Sequence, residues 1–111
     1  MSKNAAYIQS VQDHLGNNPE KFYKTTLFQE KNLMIGLNCF EPGQAQKVHQ
    51  HDDQDKFYYV IEGEGHFTIG AEVVTAGPGH VIWAPAGLPH GVENQAGQRL
   101  TVLMGIAPGP K

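Results

Sequence analysis

The stretch Gly79-His80-Val81-Ile82-Trp83-Ala84-Pro85-Ala86-Gly87-Leu88-Pro89-His90-Gly91-Val92-Glu93-Asn94 decides how the rest of the chain is read. His80 to Ala84 is a short run rich in β-branched and aromatic residues, the texture of a strand, and His90 to Glu93 is another. Between them stand Pro85, Gly87 and Pro89. Proline fixes φ and lacks an amide donor, while glycine adopts the positive φ of a tight reversal, so this segment turns the chain. The turn delivers His90 to the first position of a strand.

The same texture continues in both directions. Phe22 to Gln29, Leu33 to Phe40, Gln46 to His51, Phe57 to Glu62, His66 to Ile69, Glu72 to Thr75 and Leu100 to Ile106 are further runs of this kind. They are separated by Pro42-Gly43, Asp52-Asp53, Gly63 to Gly65, Gly70, Gly77 to Gly79 and Asn94 to Gly97. Nine short strands joined by tight turns predict an all-β sandwich or small barrel. Ahead of them Tyr7, Ile8, Val11 and Leu15 recur at helical spacing and meet Gly16, Asn17, Asn18 and Pro19, so a short amphipathic helix is expected. The expected division is an N-terminal helical segment over residues 1–20 and a barrel domain over residues 21–111.

A chain of 111 residues has the size of one domain and buries enough surface to fold around a single core. Cys39 is its only cysteine, so no disulfide forms within the chain. Residues 1–18 lack the continuous apolar run of a signal peptide or membrane span, and a cytoplasmic protein with no membrane partner is expected. Eight Lys and Arg against eleven Asp and Glu give a formal charge of −3, and Arg99 is the only arginine. Without clustered cations to neutralise phosphates, nucleic acid is excluded as the main partner.

The six histidines carry more information. Residues two apart on a strand share a face at a spacing of about 6.6 Å, so His49 and His51 project together. Neutral imidazoles suit zinc, copper, iron or nickel, and three protein ligands leave a position open for substrate. Of the others, His66 and His80 read as strand-end residues and His14 as a solvated helix residue. Tyr58 and Trp83 are candidates for aromatic pocket walls.

Here the spacing reaches a family resemblance. Gly79, five residues, Pro85, one, Gly87, two, His90, three, Asn94 is similar to the second cupin motif at each defining position. Gly43, five residues, His49, one, His51 resembles the opening of the first. The resemblance, to small single-domain members of the cupin superfamily, implies a double-stranded β-helix, or jelly-roll barrel. It also implies a divalent metal (zinc, iron, nickel, manganese or copper) held by His49, His51 and His90, with a glutamate completing the site.

That glutamate is missing. Counted forward from His51 its place falls on Asp55; counted back from Gly63, where the motif ends, it falls on Lys56. The backward count runs within one strand, where a slip of one residue would reverse every side chain, whereas the turn at Asp52 to Gln54 absorbs an insertion easily. Lys56 is therefore expected to point inward with Tyr58 and Val60. Three readings stay open: three histidines plus water hold the metal; Asp55 swings in as a fourth ligand; or there is no metal, and Lys56, with Lys47 on the parity of His49 and His51, faces a small anion. The functions expected are metal-dependent chemistry of a dioxygenase or isomerase kind on a small organic molecule, or non-catalytic binding of a small anion. A homodimer is also expected, joined through the apolar runs Leu33 to Phe40 and Leu100 to Ile106.

Overall fold

The computed structural model describes residues 7–110 and forms nine strands. They are β1 (Tyr23–Gln29), β2 (Met34–Phe40), β3 (Ala45–His49), β4 (Asp55–Glu62), β5 (Gly65–Ile69), β6 (Glu72–Ala76), β7 (Val81–Ala84), β8 (His90–Glu93) and β9 (Leu100–Ala107). Each coincides with an expected run to within two residues at either end. Alternation explains why: in β4, Lys56, Tyr58 and Val60 are buried while Asp55 and Tyr59 are exposed, so one face of the strand can join a core.

The strands form two antiparallel sheets, one ordered β1-β2-β9-β4-β7 and the other β3-β8-β5-β6. From β3 onward the chain passes back and forth between the sheets, the coiling of a jelly roll or double-stranded β-helix. Phe40, Tyr58, Val60, Ile82, Leu100, Val102 and Met104 from the first sheet meet Phe67, Ala76 and Val92 from the second. This filling occupies one end of the barrel. Toward the other end the inward positions are taken by Met34, Gly36, Asn38, Lys56 and Ile106, and the space between the sheets opens into a cavity.

Two expectations need correction. The N-terminal helix is only a 3₁₀ turn, Val11–His14, with no buried residue and no side-chain cap. Four apolar residues within nine cannot offset helix nucleation unless they pack on something, and Tyr7 and Ile8 remain exposed. The segment instead passes close to β1, where a Cβ on Gly16 would meet the Tyr23 ring at 2.7 Å. The part of the expected helical segment in residues 1–6 lies outside the described residues.

The second correction concerns the surface assigned to dimer contacts. β2 is paired on both sides, by β1 and β9, and β9 by β2 and β4, so neither offers a free edge. Leu37, Cys39, Phe40, Leu100 and Val102 are all buried within the chain itself. Of these runs Leu33 stays 41% exposed, and further apolar residues face outward on the edge strand β7, where Val81 and Trp83 are 65% and 66% exposed beside Tyr59 of β4. Among the described residues no helix is long and apolar enough to cross a membrane.

Candidate metal centre

His49 ends β3 and His90 begins β8, and the two are direct cross-strand partners. His51 follows two residues beyond the strand. The loop expected to aim His90 does so by hydrogen bonding as well as by backbone stiffness: Gly87, at φ +86°, donates its amide to the His51 carbonyl at 2.8 Å. The two histidine-bearing segments are thus tied to each other directly. The ring centroids of His49 and His90 are 4.4 Å apart, those of His49 and His51 4.9 Å, and those of His51 and His90 5.6 Å. One ligand nitrogen from each ring lies within 4.8 Å of the others, an arrangement that could hold a metal ion.

Backbone carbonyls select the tautomers. His49 Nδ1 lies 2.8 Å from the Lys47 carbonyl, and His90 Nδ1 lies 3.3 Å from the Leu88 carbonyl. A carbonyl oxygen only accepts, so each Nδ1 carries the proton, and in the neutral rings each Nε2 keeps its lone pair. His90 is 1% exposed, and its Nε2 is buried with no hydrogen-bond partner. A buried acceptor left unmet costs about 1–3 kcal/mol, unless something else meets it. A ring fixed by its outer nitrogen and free at its inner one is the usual form of a metal-ligating histidine. On these observations the donor set fits a divalent ion.

The electrostatics favour the same unprotonated state. Burial, reinforced by the neighbouring positive charges of His49, Lys56 and His51, pulls His90 down to about 4 against the opposing hydrogen bond to Leu88. His51 is also lowered, first by burial and then by His49 and Lys56, with Asp53 opposing.

Lys56 points inward, 4% exposed, with its Nζ 4.8 Å from the centroid of the Tyr58 ring. Burial, with Lys24 nearby, lowers it to about 8. Tyr58 is fully buried in the core and does not line the cavity, its ring 5.3 Å from Phe67 and 6.4 Å from His90. Its hydroxyl donates to Gln46 Oε1 at 3.0 Å, and burial raises its pKa above the ordinary phenol range. Asp55 is exposed, and its Oδ1 accepts the Ala86 amide at 2.8 Å, so it braces the turn ahead of His90 and stands outside the histidine cluster.

A cavity of about 520 Å³ is lined by His49, His51 and Lys56, whereas His90, Tyr58 and Asp55 are not among its lining residues. Lys24, Asn38 and Gln46 also line it, and sequence reasoning did not single them out. Lys47, expected inward by parity with His49, is instead exposed and belongs to the outer groove beside His66. The β3–β8 register slips between Gln46 and His49, and this bulge exchanges the two faces, turning Gln46 toward Tyr58. Trp83 does not line this cavity; it is exposed on the outer face, where with Leu33 and Phe57 it borders a smaller pocket of about 140 Å³. His80 helps close the turn at Gly77, as a strand-end residue would. His66 Nδ1 is buried without a partner.

Residues 36–106 match the model of the family described as Cupin domain. Among solved structures, the TT1209 protein of Thermus thermophilus superposes with a TM-score of 0.89 at 41% identity, covering 93% of this chain and 98% of that one. A Klebsiella pneumoniae protein described as having a double-stranded β-helix domain gives 0.87 at 22% identity, covering 93% and 90%, and so shares the fold. An oxalate-binding protein of Thermotoga maritima is 31% identical over 62 residues, 56% of this chain and 51% of its own length. The chain spans about half the length of the curated relatives it matches.

Proposed function

The chain belongs to the cupin family, and on that footing we propose that His49, His51 and His90 hold one divalent ion, zinc, iron, nickel, manganese or copper, for work on a small organic molecule. The observation that carries this reading is the buried, partnerless Nε2 of His90 beside two imidazoles whose ligand atoms lie within 4.8 Å. When bound, such an ion supplies Lewis-acid or redox chemistry of the kind that isomerase and dioxygenase reactions use. The Lys47 and Leu88 carbonyls orient His49 and His90, and Tyr58, packed against Phe67, fills the core beside His90. The oxalate-binding relative supports a small organic ligand for the cavity.

Elemental analysis of protein purified without chelators or an affinity tag tests the reading. We expect close to one ion per chain, with most of it lost in His49→Ala and in His51→Ala. Metal content far below stoichiometric and indifferent to both substitutions would refute the site. We also propose a cytoplasmic homodimer: the lone cysteine, Cys39, is buried and free, and the exposed apolar group Val81, Trp83 and Tyr59 supports a self-contact.

A further inference from the structure

We propose that the molecule entering this cavity is a small organic acid whose carboxylate is received by Lys56 in the depth of the cavity and by Lys24 at its rim. The proposal rests on the cavity being the working site and names the class of ligand it takes. Twelve residues line the cavity, among them Lys24, Lys56, His49 and His51, and none is Asp or Glu. Lys56 is 4% exposed, yet among the described residues the ion pair found is Arg99 with Glu41, at 3.2 Å. Its companion is the face of the Tyr58 ring, 4.8 Å away. An ammonium buried without a counterion carries a desolvation penalty of several kcal/mol, and a second lysine in the same cavity adds repulsion. An anion between them removes both penalties, so the cavity discriminates by charge before any other feature of the ligand.

The remaining lining describes the rest of the molecule. Met34, Met104 and Ile106 form an apolar wall suited to a carbon skeleton, while Asn38 and Gln46 offer amides to a hydroxyl or keto oxygen. Among the lining residues there is no arginine. The cations on offer are therefore lysine point charges rather than a bidentate fork, and it is the apolar wall that favours an organic acid over inorganic phosphate. A cavity of about 520 Å³ lies within the range of ordinary small-molecule sites and exceeds what the smallest diacid fills.

The test uses the whole chain stripped of metal, so that acids acting as chelators do not confuse the result. Thermal unfolding is followed with oxalate, succinate, malate, succinamide and inorganic phosphate, each at the same millimolar concentration and ionic strength. We expect succinate or malate to raise Tm by about 2 °C or more and neutral succinamide to leave it unchanged, since only a ligand selective for the native state stabilises it. The rise should vanish in Lys56→Met and shrink in Lys24→Met, which lies at the rim and leaves the interior packing intact. No stabilisation by any acid, equal stabilisation by succinamide or phosphate, or full stabilisation of both lysine variants would overturn the proposal. Metal uptake, measured on the same samples after reloading, reads the histidine site separately. Its absence alongside lysine-dependent acid binding would refute the metal reading and support this one.

Discussion

His90 refuses a proton in the folded chain that it would accept in the unfolded one, and this sets a pH dependence of known sign. With the imidazole held at about 4 against an ordinary 6.5, this residue adds no pH dependence well above pH 6.5, where it is neutral in both states. As pH falls from 6.5 toward 4 the unfolded state gains a proton that the folded state lacks, so stability declines, by at most about 3 kcal/mol from this residue. Urea midpoints measured across that window should fall in metal-free wild type and fall less in His90→Asn. Equal slopes would remove His90 from the account. Lys56 leads to a second expectation: replacing an unpaired buried ammonium with a methionine of similar volume should raise Tm by about 4 °C or more in ligand-free buffer. A fall in Tm would mean that the contact with Tyr58 outweighs the buried charge. At this scale the sequence was most legible for His49, His51 and His90, because strand parity and motif spacing are local properties. Lys24, Asn38 and Gln46 were not legible, since each reaches the cavity through cross-strand register or a bulge that no local pattern announces.

Elements convert these residues into a site through the turn that links β7 to β8. Asp55 accepts the Ala86 amide, and Gly87 donates to the His51 carbonyl, so this one turn is braced from β4 and bound to the segment after β3. Gly87→Ala forces a side chain into a positive φ at a cost of about 1–2 kcal/mol, and relief of that strain would move the bond to His51. We expect metal affinity to fall at least tenfold in Gly87→Ala, while chemical denaturation shows only that modest loss; titration of stripped protein compares the two. Unchanged affinity would show that the turn does not position the histidines. Asn94 plays a complementary part, its buried amide donating to the Phe40 and Gln98 carbonyls, and Asn94→Ala should cost about 2 kcal/mol in urea unfolding by leaving both unmet. Strand number and order along the chain were readable because glycine and proline mark each turn. The N-terminal helix was misread because apolar spacing alone carries no information on whether a surface exists for those residues to cover.

Across the described residues, two sheets packed together at one end and parted at the other create an open cavity. The exposed group around Trp83 lies on the outer face of the five-stranded sheet. If that face joins two copies, sedimentation should give a dimer for wild type and a monomer for Trp83→Glu; a wild-type monomer would refute the pairing. A crystal structure of the protein loaded with zinc, with anomalous data collected at the zinc edge, tests the three-histidine site without intermediaries. One peak per chain is expected, bonded to Nε2 of His49 and His90 and to a nitrogen of His51 at about 2.0–2.1 Å. A cavity without a peak, or a peak held by other residues, would contradict it.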